Sequence, residues 1–190
     1  MTLVGKKAPL FKAGAVVNGA IVKNFNLEDY IGKQHVVLMF YTKDFSSICP
    51  SEMHAFQAAL PQFEAKKTAL IAISADSEDS HLNWLKFGAE EGGIKGVTYP
   101  LVGDMTKTIC DAYGVLAGEY EYDDEGNLQA TGPMIPYRAI FLIDKKGIVQ
   151  YESVQFFTLT RDVDDTLRMI DVLQYFEENG VVCPANWRKP

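Results

Sequence analysis

The sequence predicts an α/β fold, a central mixed sheet flanked by helices, and three observations carry that prediction. Two short apolar runs, His35–Tyr41 and Ala69–Ser74, read as buried strands because they are β-branched and nearly uninterrupted. Between them, Met53, Phe56, Leu60 and Phe63 recur at steps of three and four, the spacing of one helix face over Pro50–Lys66. Further on, Arg138–Asp144 and Ile148–Val154 read as strands joined at Lys145-Lys146-Gly147, a hairpin signal. The remaining elements fall in order around these. Ala15–Val17 and Ile21–Phe25 form a hairpin about Asn18-Gly19, and Leu27–Tyr30 is a short helical turn. A helix over Ser77–Glu91 is stopped by Gly92-Gly93, another spans Thr106–Tyr113, and an amphipathic helix over Val163–Glu178 ends at Asn179-Gly180. There is no internal repeat and no low-complexity stretch.

Length and composition bound the function. A chain of 190 residues with 47% hydrophobic content suits one domain over residues 1–190. Its net charge of −7 argues against a general nucleic-acid binder, which needs a basic face. No apolar stretch approaches the ~20 residues of a membrane-spanning helix, and the first residues show no secretory pattern. Three cysteines are too few, and odd in number, for a disulfide scaffold. A reducing cytoplasm is the expected compartment.

Cys49 is the most informative residue. It falls between the first buried run and the helical pattern, so it is expected at a helix start, with Pro50 at the first helical position and Glu52 able to reach back to the cap backbone. Free N–H groups and a partial positive charge at that place favour an anion. A thiol with an ordinary pKa of about 8.5 becomes partly ionised there, and the thiolate is the nucleophile. By position alone, a reactive thiol and a small buried hydrophobe are equally open readings.

The surrounding residues decide. The segment Phe40-Tyr41-x-x-Asp44-Phe45-Ser46-x-x-Cys49-Pro50-Ser51-Glu52 resembles the reactive loop of the peroxiredoxins, whose pattern is Pro-x-x-x-Thr/Ser-x-x-Cys. The likeness continues through Ser80-His81-Leu82-x-Trp84, Tyr99-Pro100-Leu101-Val102-x-Asp104, Tyr113-Gly114-Val115-Leu116 and Arg138-x-x-Phe141-Leu142-Ile143-Asp144, and ends at Gly180-x-Val182-Cys183-Pro184-x-x-Trp187. It covers nearly the whole chain and points to the typical two-cysteine group, which includes thioredoxin peroxidases and the peroxidase subunit of alkyl hydroperoxide reductases. The resemblance implies a thioredoxin-like fold with an N-terminal hairpin and residues 170–190 as a tail bearing a resolving cysteine.

It also implies roles. Cys49 attacks a hydroperoxide, hydrogen peroxide or an organic one, and becomes a sulfenic acid. Arg138, Ser46 and the helix-start N–H groups stabilise the leaving oxygen, and Glu52 holds the arginine. Cys183 of a partner subunit then forms an intersubunit disulfide, which a thioredoxin or a flavoprotein disulfide reductase reopens. The implied assembly is a homodimer, five of which close a ring. No metal, haem, flavin or other cofactor is implied. Tyr41, Thr42 and Pro50 are support residues. Thr42 departs from the pattern, which has proline there to shield the thiol and stiffen the loop; threonine brings a hydroxyl and an N–H instead. Ser47 stands where a bulky apolar residue is expected. A holdase chaperone and a peroxide-sensing redox relay are the rival functions. The imperfect Gly92-Gly93-Ile94-Lys95-Gly96 loop and the lack of a Tyr-Phe pair after Cys183 suggest resistance to over-oxidation.

Other polar residues carry plainer expectations. A strand-end arginine such as Arg138 is ordinarily a surface charge, and only the resemblance assigns it to the thiolate. Cys183 follows a helix stop and belongs to an extended tail; its distance in sequence from Cys49 disfavours a Cys-x-x-Cys site. Cys110 is expected as inert packing. His35, His54 and His81 show no metal spacing and are taken as structural or surface residues. Asp165 and Asp171 with Arg161 and Arg168 are expected as solvated pairs on the last helix. Residues 117–137 carry Glu119, Glu121, Asp123, Asp124 and Glu125 with no basic residue; they form either a hairpin about Asp124-Glu125-Gly126-Asn127 or a mobile acidic loop, and match no calcium loop.

Overall fold

The computed structural model describes residues 2–189. The elements are β1 (Lys12–Val17), β2 (Ala20–Asn26), β3 (His35–Phe40), α1 (Cys49–Ala65), β4 (Thr68–Ser74), α2 (Glu78–Trp84), β5 (Leu101–Gly103), α3 (Thr108–Ala112), β6 (Leu116–Ala117), β7 (Tyr120–Tyr122), β8 (Leu128–Ala130), β9 (Ile135–Pro136), β10 (Arg138–Ile143), β11 (Val149–Gln155) and α4 (Val163–Asn179). Seven strands make one mixed sheet in the order β11-β10-β3-β4-β5-β1-β2. The parallel pairs are β3 with β4 and β4 with β5; β10 runs antiparallel to both β3 and β11.

The uninterrupted apolar runs follow from the sheet's two covered faces. Side chains alternate along a strand, so Val37 and Met39 face one way and Val36, Leu38 and Phe40 the other. The first set packs on Met53, Phe56 and Phe63 of α1 and on Leu167, Ile170 and Leu173 of α4. The second packs on Ile109, Cys110 and Tyr113 at α3 and on Phe141 and Ile143 of β10. The reactive loop leaves the C-terminal end of β3, at the sheet's centre, and passes directly into α1.

Several boundaries differ from expectation. The helix expected over Ser77–Glu91 ends at Trp84, because the chain folds back over its own end. The Trp84 indole N–H donates to the Gly92 carbonyl at 2.8 Å, and the Lys95 N–H donates to the Phe87 carbonyl at 2.9 Å. Gly93 lies so close that an added Cβ would sit 2.1 Å from the Phe87 carbonyl oxygen. The helix α3 starts two residues later than expected, where the Asp104 carboxylate accepts from the N–H groups of Ile109 and Cys110 at 3.2 and 2.7 Å. The last helix, by contrast, keeps its expected span: α4 runs to Asn179, where Gly180 closes it with φ +67°. Among the described residues no helix is long and apolar enough to cross a membrane.

Residues 117–137 form a hairpin, one of the two expected outcomes. Tyr120 pairs with Ala130 and Tyr122 with Leu128. Asp123 builds the turn, its carboxylate accepting from the N–H groups of Glu125 and Asn127 at 3.0 and 2.8 Å. The hairpin stands on the short ladder of β6 with β9, where the backbones of Gly118 and Gly132 touch.

Candidate active site

Cys49 is the first residue of α1, with Ile48 as its cap and Pro50 in second position; the expected frame was one residue later. Proline is tolerated in either place because the first-turn N–H groups have no partner within the helix. Ser46 serves as the capping group, its hydroxyl accepting the Cys49 N–H at 3.2 Å. That N–H is therefore engaged in this conformation rather than free for a leaving oxygen.

The thiol is fully buried, and two polar side chains converge on its sulfur. The Thr42 hydroxyl lies 3.2 Å from Sγ, and Arg138 Nη1 lies 3.4 Å away. Arg138 is itself 3% exposed, which corrects the ordinary expectation of a surface charge. Its Nη1 also donates to Glu52 Oε2 at 2.6 Å, and its Nε donates to the Phe157 carbonyl at 3.3 Å. Glu52 thus bonds the arginine and, among the described residues, makes no bond to the helix cap.

Arg161 is the residue that sequence reasoning missed. Expected as a solvated charge beside Asp165, it precedes α4 and is 8% exposed. Its Nε and Nη2 clamp the Glu52 carboxylate at 3.1 and 2.7 Å, its backbone N–H donates to Glu52 Oε1 at 3.0 Å, and its Nη1 donates to the Phe40 carbonyl at 2.5 Å. Of the other expected pairs, Arg168 does bond Asp165 at 2.8 Å, and Asp171 pairs with Lys66 instead.

These contacts decide the protonation states. Burial alone would raise the Cys49 thiol, but the hydroxyls of Ser46 and Thr42 and the guanidinium of Arg138 outweigh it and hold the thiol below its ordinary value. Burial likewise opposes ionisation of Glu52, and Arg161, aided by Arg138, holds its carboxyl below the usual range. Two buried guanidinium groups against one carboxylate leave a net positive charge beside the Cys49 sulfur, which favours the thiolate over the thiol.

The loop is held from below. Tyr41, at 0% exposure, stacks on Trp84 and donates its hydroxyl to Asp44 Oδ1 at 2.7 Å. The Ser80 hydroxyl donates to Asp44 Oδ2 at 2.7 Å, His81 Nδ1 lies 2.8 Å from the same oxygen, and the Asp44 N–H donates to Asp76 Oδ2 at 2.9 Å. Phe45 turns the chain with φ +53° and leans on Trp84 and Phe87. Tyr41 therefore supports the site through Asp44. His81 is structural, as expected, though its anchoring partner was not foreseen. Pro50 is buried against the core, and Ser46 is half-buried at the rim.

The structure does not bring Cys183 to Cys49. Cys183 is free and half-buried, in a groove of about 250 Å³ with Tyr151 of β11 and Met169, Leu173 and Phe176 of α4. Trp187 then packs on Tyr175 with ring centroids 4.9 Å apart. Cys110 is fully buried, and burial together with Asp104 pushes its thiol far up, as suits an inert core residue.

A mixed sheet with a single activated cysteine where a central strand passes into a helix defines a thiol oxidoreductase of the thioredoxin-like class. Residues 4–152 match the AhpC/TSA family, and residues 173–190, which include Cys183, match the C-terminal domain of 1-Cys peroxiredoxin. The chain belongs to the peroxiredoxins, an oxidoreductase family of thiol-dependent peroxidases. It is 41% identical over 188 residues to alkyl hydroperoxide reductase C of Helicobacter pylori, covering 98% of this chain and 88% of that protein. It is 40% identical over 189 residues to a chloroplastic 2-Cys peroxiredoxin of Arabidopsis thaliana, covering 99% of this chain and 66% of that protein's length. The crystal structure of the reduced 2-Cys peroxiredoxin of Plasmodium vivax superposes with a TM-score of 0.87 at 40% identity, over 99% of this chain and 90% of that one.

Proposed function

We propose that this protein reduces hydrogen peroxide and organic hydroperoxides at Cys49 and is turned over by thiol chemistry. The observation that carries the reading is the buried Cys49 sulfur set 3.4 Å from Arg138, in a site whose two guanidinium groups face one carboxylate and so favour the thiolate. The thiolate attacks one peroxide oxygen; the S–O bond forms as the O–O bond breaks, sulfur is oxidised by two electrons, and the departing alkoxide or hydroxide takes a proton from solvent. Arg138 stabilises the charge that builds on the leaving oxygen. Cys183 of a second copy then attacks the sulfenic acid, releasing water and forming an intersubunit disulfide. An external dithiol, from a thioredoxin or a flavoprotein disulfide reductase, restores both thiols. Since Cys49 is buried inside the first turn of α1, that turn must unwind for the disulfide to form. The family relationship and the two free thiols, Cys49 and Cys183, favour catalytic turnover over a holdase or a sensing role. A ring of five dimers and a cytoplasmic location complete the proposal; three cysteines, all free, suit a reducing compartment.

The test is a peroxidase assay coupled to either reductant system. Cys49→Ser should lose all activity, because a serine hydroxyl is neither ionised nor oxidised under these conditions. Cys183→Ser should consume one equivalent of peroxide and then stop. Full turnover by Cys49→Ser would end this reading.

A further inference from the structure

We propose that Thr42 is a catalytic residue of this chain, its hydroxyl donating a hydrogen bond directly to the Cys49 sulfur at the position where the reactive-loop pattern has proline. The proposal rests on the peroxidase reading and concerns how the nucleophile is prepared. Thr42 lies two residues beyond β3 and is 6% exposed, with Oγ1 3.2 Å from Cys49 Sγ. Among the described residues, that sulfur is the only side-chain partner of the Thr42 hydroxyl. A buried hydroxyl with a single partner is fixed in direction, and a thiolate can only accept, so the proton of the Thr42 hydroxyl must point at sulfur. A proline here carries no such proton.

The bond changes what the loop can do. Ser46 spends an acceptor lone pair on the Cys49 N–H, and Arg138 Nη1 is shared between sulfur and Glu52. Thr42 makes its only side-chain hydrogen bond to this sulfur, whereas Ser46 and Arg138 also serve the helix start and Glu52. Its hydroxyl helps to keep the thiol ionised against the burial that opposes ionisation. The bond also ties the start of the loop after β3 to the first residue of α1, seven positions on. The looseness expected from the loss of proline is thereby countered by a contact that proline cannot make. As sulfur passes from thiolate to sulfenic acid, the Thr42 hydroxyl can exchange the bond it donates to sulfur for one it accepts from the new S–O–H group.

The experiment compares Thr42→Val, which keeps the shape and removes the hydroxyl, with Thr42→Ser, which keeps the hydroxyl, and with Thr42→Pro. Two readouts are taken on the full chain: the pH midpoint of Cys49 alkylation by iodoacetamide, followed at the Cys49 peptide by mass spectrometry, and the pH profile of peroxide reduction. Loss of one charge-assisted hydrogen bond should raise the alkylation midpoint of Thr42→Val by about one pH unit. Peroxide reduction should slow about tenfold below the wild-type midpoint, with the gap closing at higher pH. Thr42→Ser should stay close to wild type. A Thr42→Val midpoint equal to that of wild type, or a rate loss of the same size at every pH, would overturn the proposal and leave Thr42 a packing residue. If Thr42→Val does not fold, Thr42→Pro removes the same donor, and an unshifted midpoint there counts equally against it. The alkylation midpoint needs no peroxide, so it decides the role of Thr42 even if the wild-type protein reduces none.

Discussion

At the residue scale, Glu52 is the pivot of the site. Its two oxygens receive Arg138, the Arg161 side chain and the Arg161 backbone, so one carboxylate orders two guanidinium groups and through them the thiolate. Removing one partner of a buried ion pair leaves the other charged and unsatisfied, at a cost of ~3–5 kcal/mol. Arg161→Met should therefore lower the unfolding free energy in urea by about that amount and also reduce peroxidase activity, because Arg138 loses its alignment. A loss no larger than that of an exposed-arginine control such as Arg188→Met would show that Arg161 is dispensable. The sequence made Cys49, Arg138 and Glu52 legible because they stand in a recognisable order. Arg161 was not legible: it lies among Thr160, Asp162 and Asp164, which read as solvent-facing, and its partner is 109 positions away. Asp44 and Ser80 lay inside quoted motifs, yet only the fold brings their oxygens together.

At the scale of elements, the β3–α1 loop and the β7–β8 hairpin behave differently because one is tied to the core and the other is not. The loop hangs on Asp44 and His81. Burial disfavours the His81 cation, but the hydrogen bond and charge of Asp44 outweigh it and raise the imidazole above its ordinary value. A raised folded-state value means that the pair stabilises the fold fully below the unfolded value of about 6.5 and is lost as pH rises through the folded value. Urea midpoints of the wild type should fall between pH 6 and 9 more steeply than those of His81→Asn; parallel curves would mean that His81 does not titrate in the folded protein. The hairpin, by contrast, exposes Tyr120, Tyr122 and Leu128 and touches the rest through the Gly118–Gly132 approach at its base. Joining Gly118 directly to Gly132 should leave the β6–β9 ladder in place and change stability by less than about 1 kcal/mol, since exposed residues contribute little. A larger loss in a thermal melt would mean that the hairpin helps to position Arg138, which follows β9 by two residues. The hairpin's turn was readable from Asp124-Glu125-Gly126-Asn127. The early end of α2 was not, because it depends on Trp84 and Phe87 reaching residues beyond Gly92.

At the scale of the whole molecule, the α/β class and the succession of the main strands and helices were readable because apolar runs, helical spacing and turn residues agreed with one another; the inner strand β5, only Leu101–Gly103, was too short to show. The proposed relation between Cys49 and Cys183 was not readable, since it would involve a second copy. Within one chain Cys49 lies buried beside Arg138, while Cys183 lies in a groove against β11 and α4. The strand β11 is an outer strand of the sheet, and exposed Val154, Phe156 and Leu159 follow one another along and beyond it. An outer strand with exposed apolar side chains at and just past its end invites pairing with an identical one. Pairing there would bring the partner's tail, anchored next to Tyr151, toward this edge, with no rearrangement of the sheet. Peroxide treatment should then convert the wild type to a disulfide-linked dimer on non-reducing electrophoresis. Cys183→Ser should give none, and Cys110→Ser should give as much as the wild type. Val154→Lys combined with Phe156→Lys should shift the reduced protein toward monomer in size-exclusion chromatography and slow dimer formation at least tenfold, because two buried lysines at an apolar seam each lose hydration without a partner. A disulfide formed within a single chain, or linkage as fast in the doubly charged variant as in the wild type, would place the pairing surface elsewhere on the molecule.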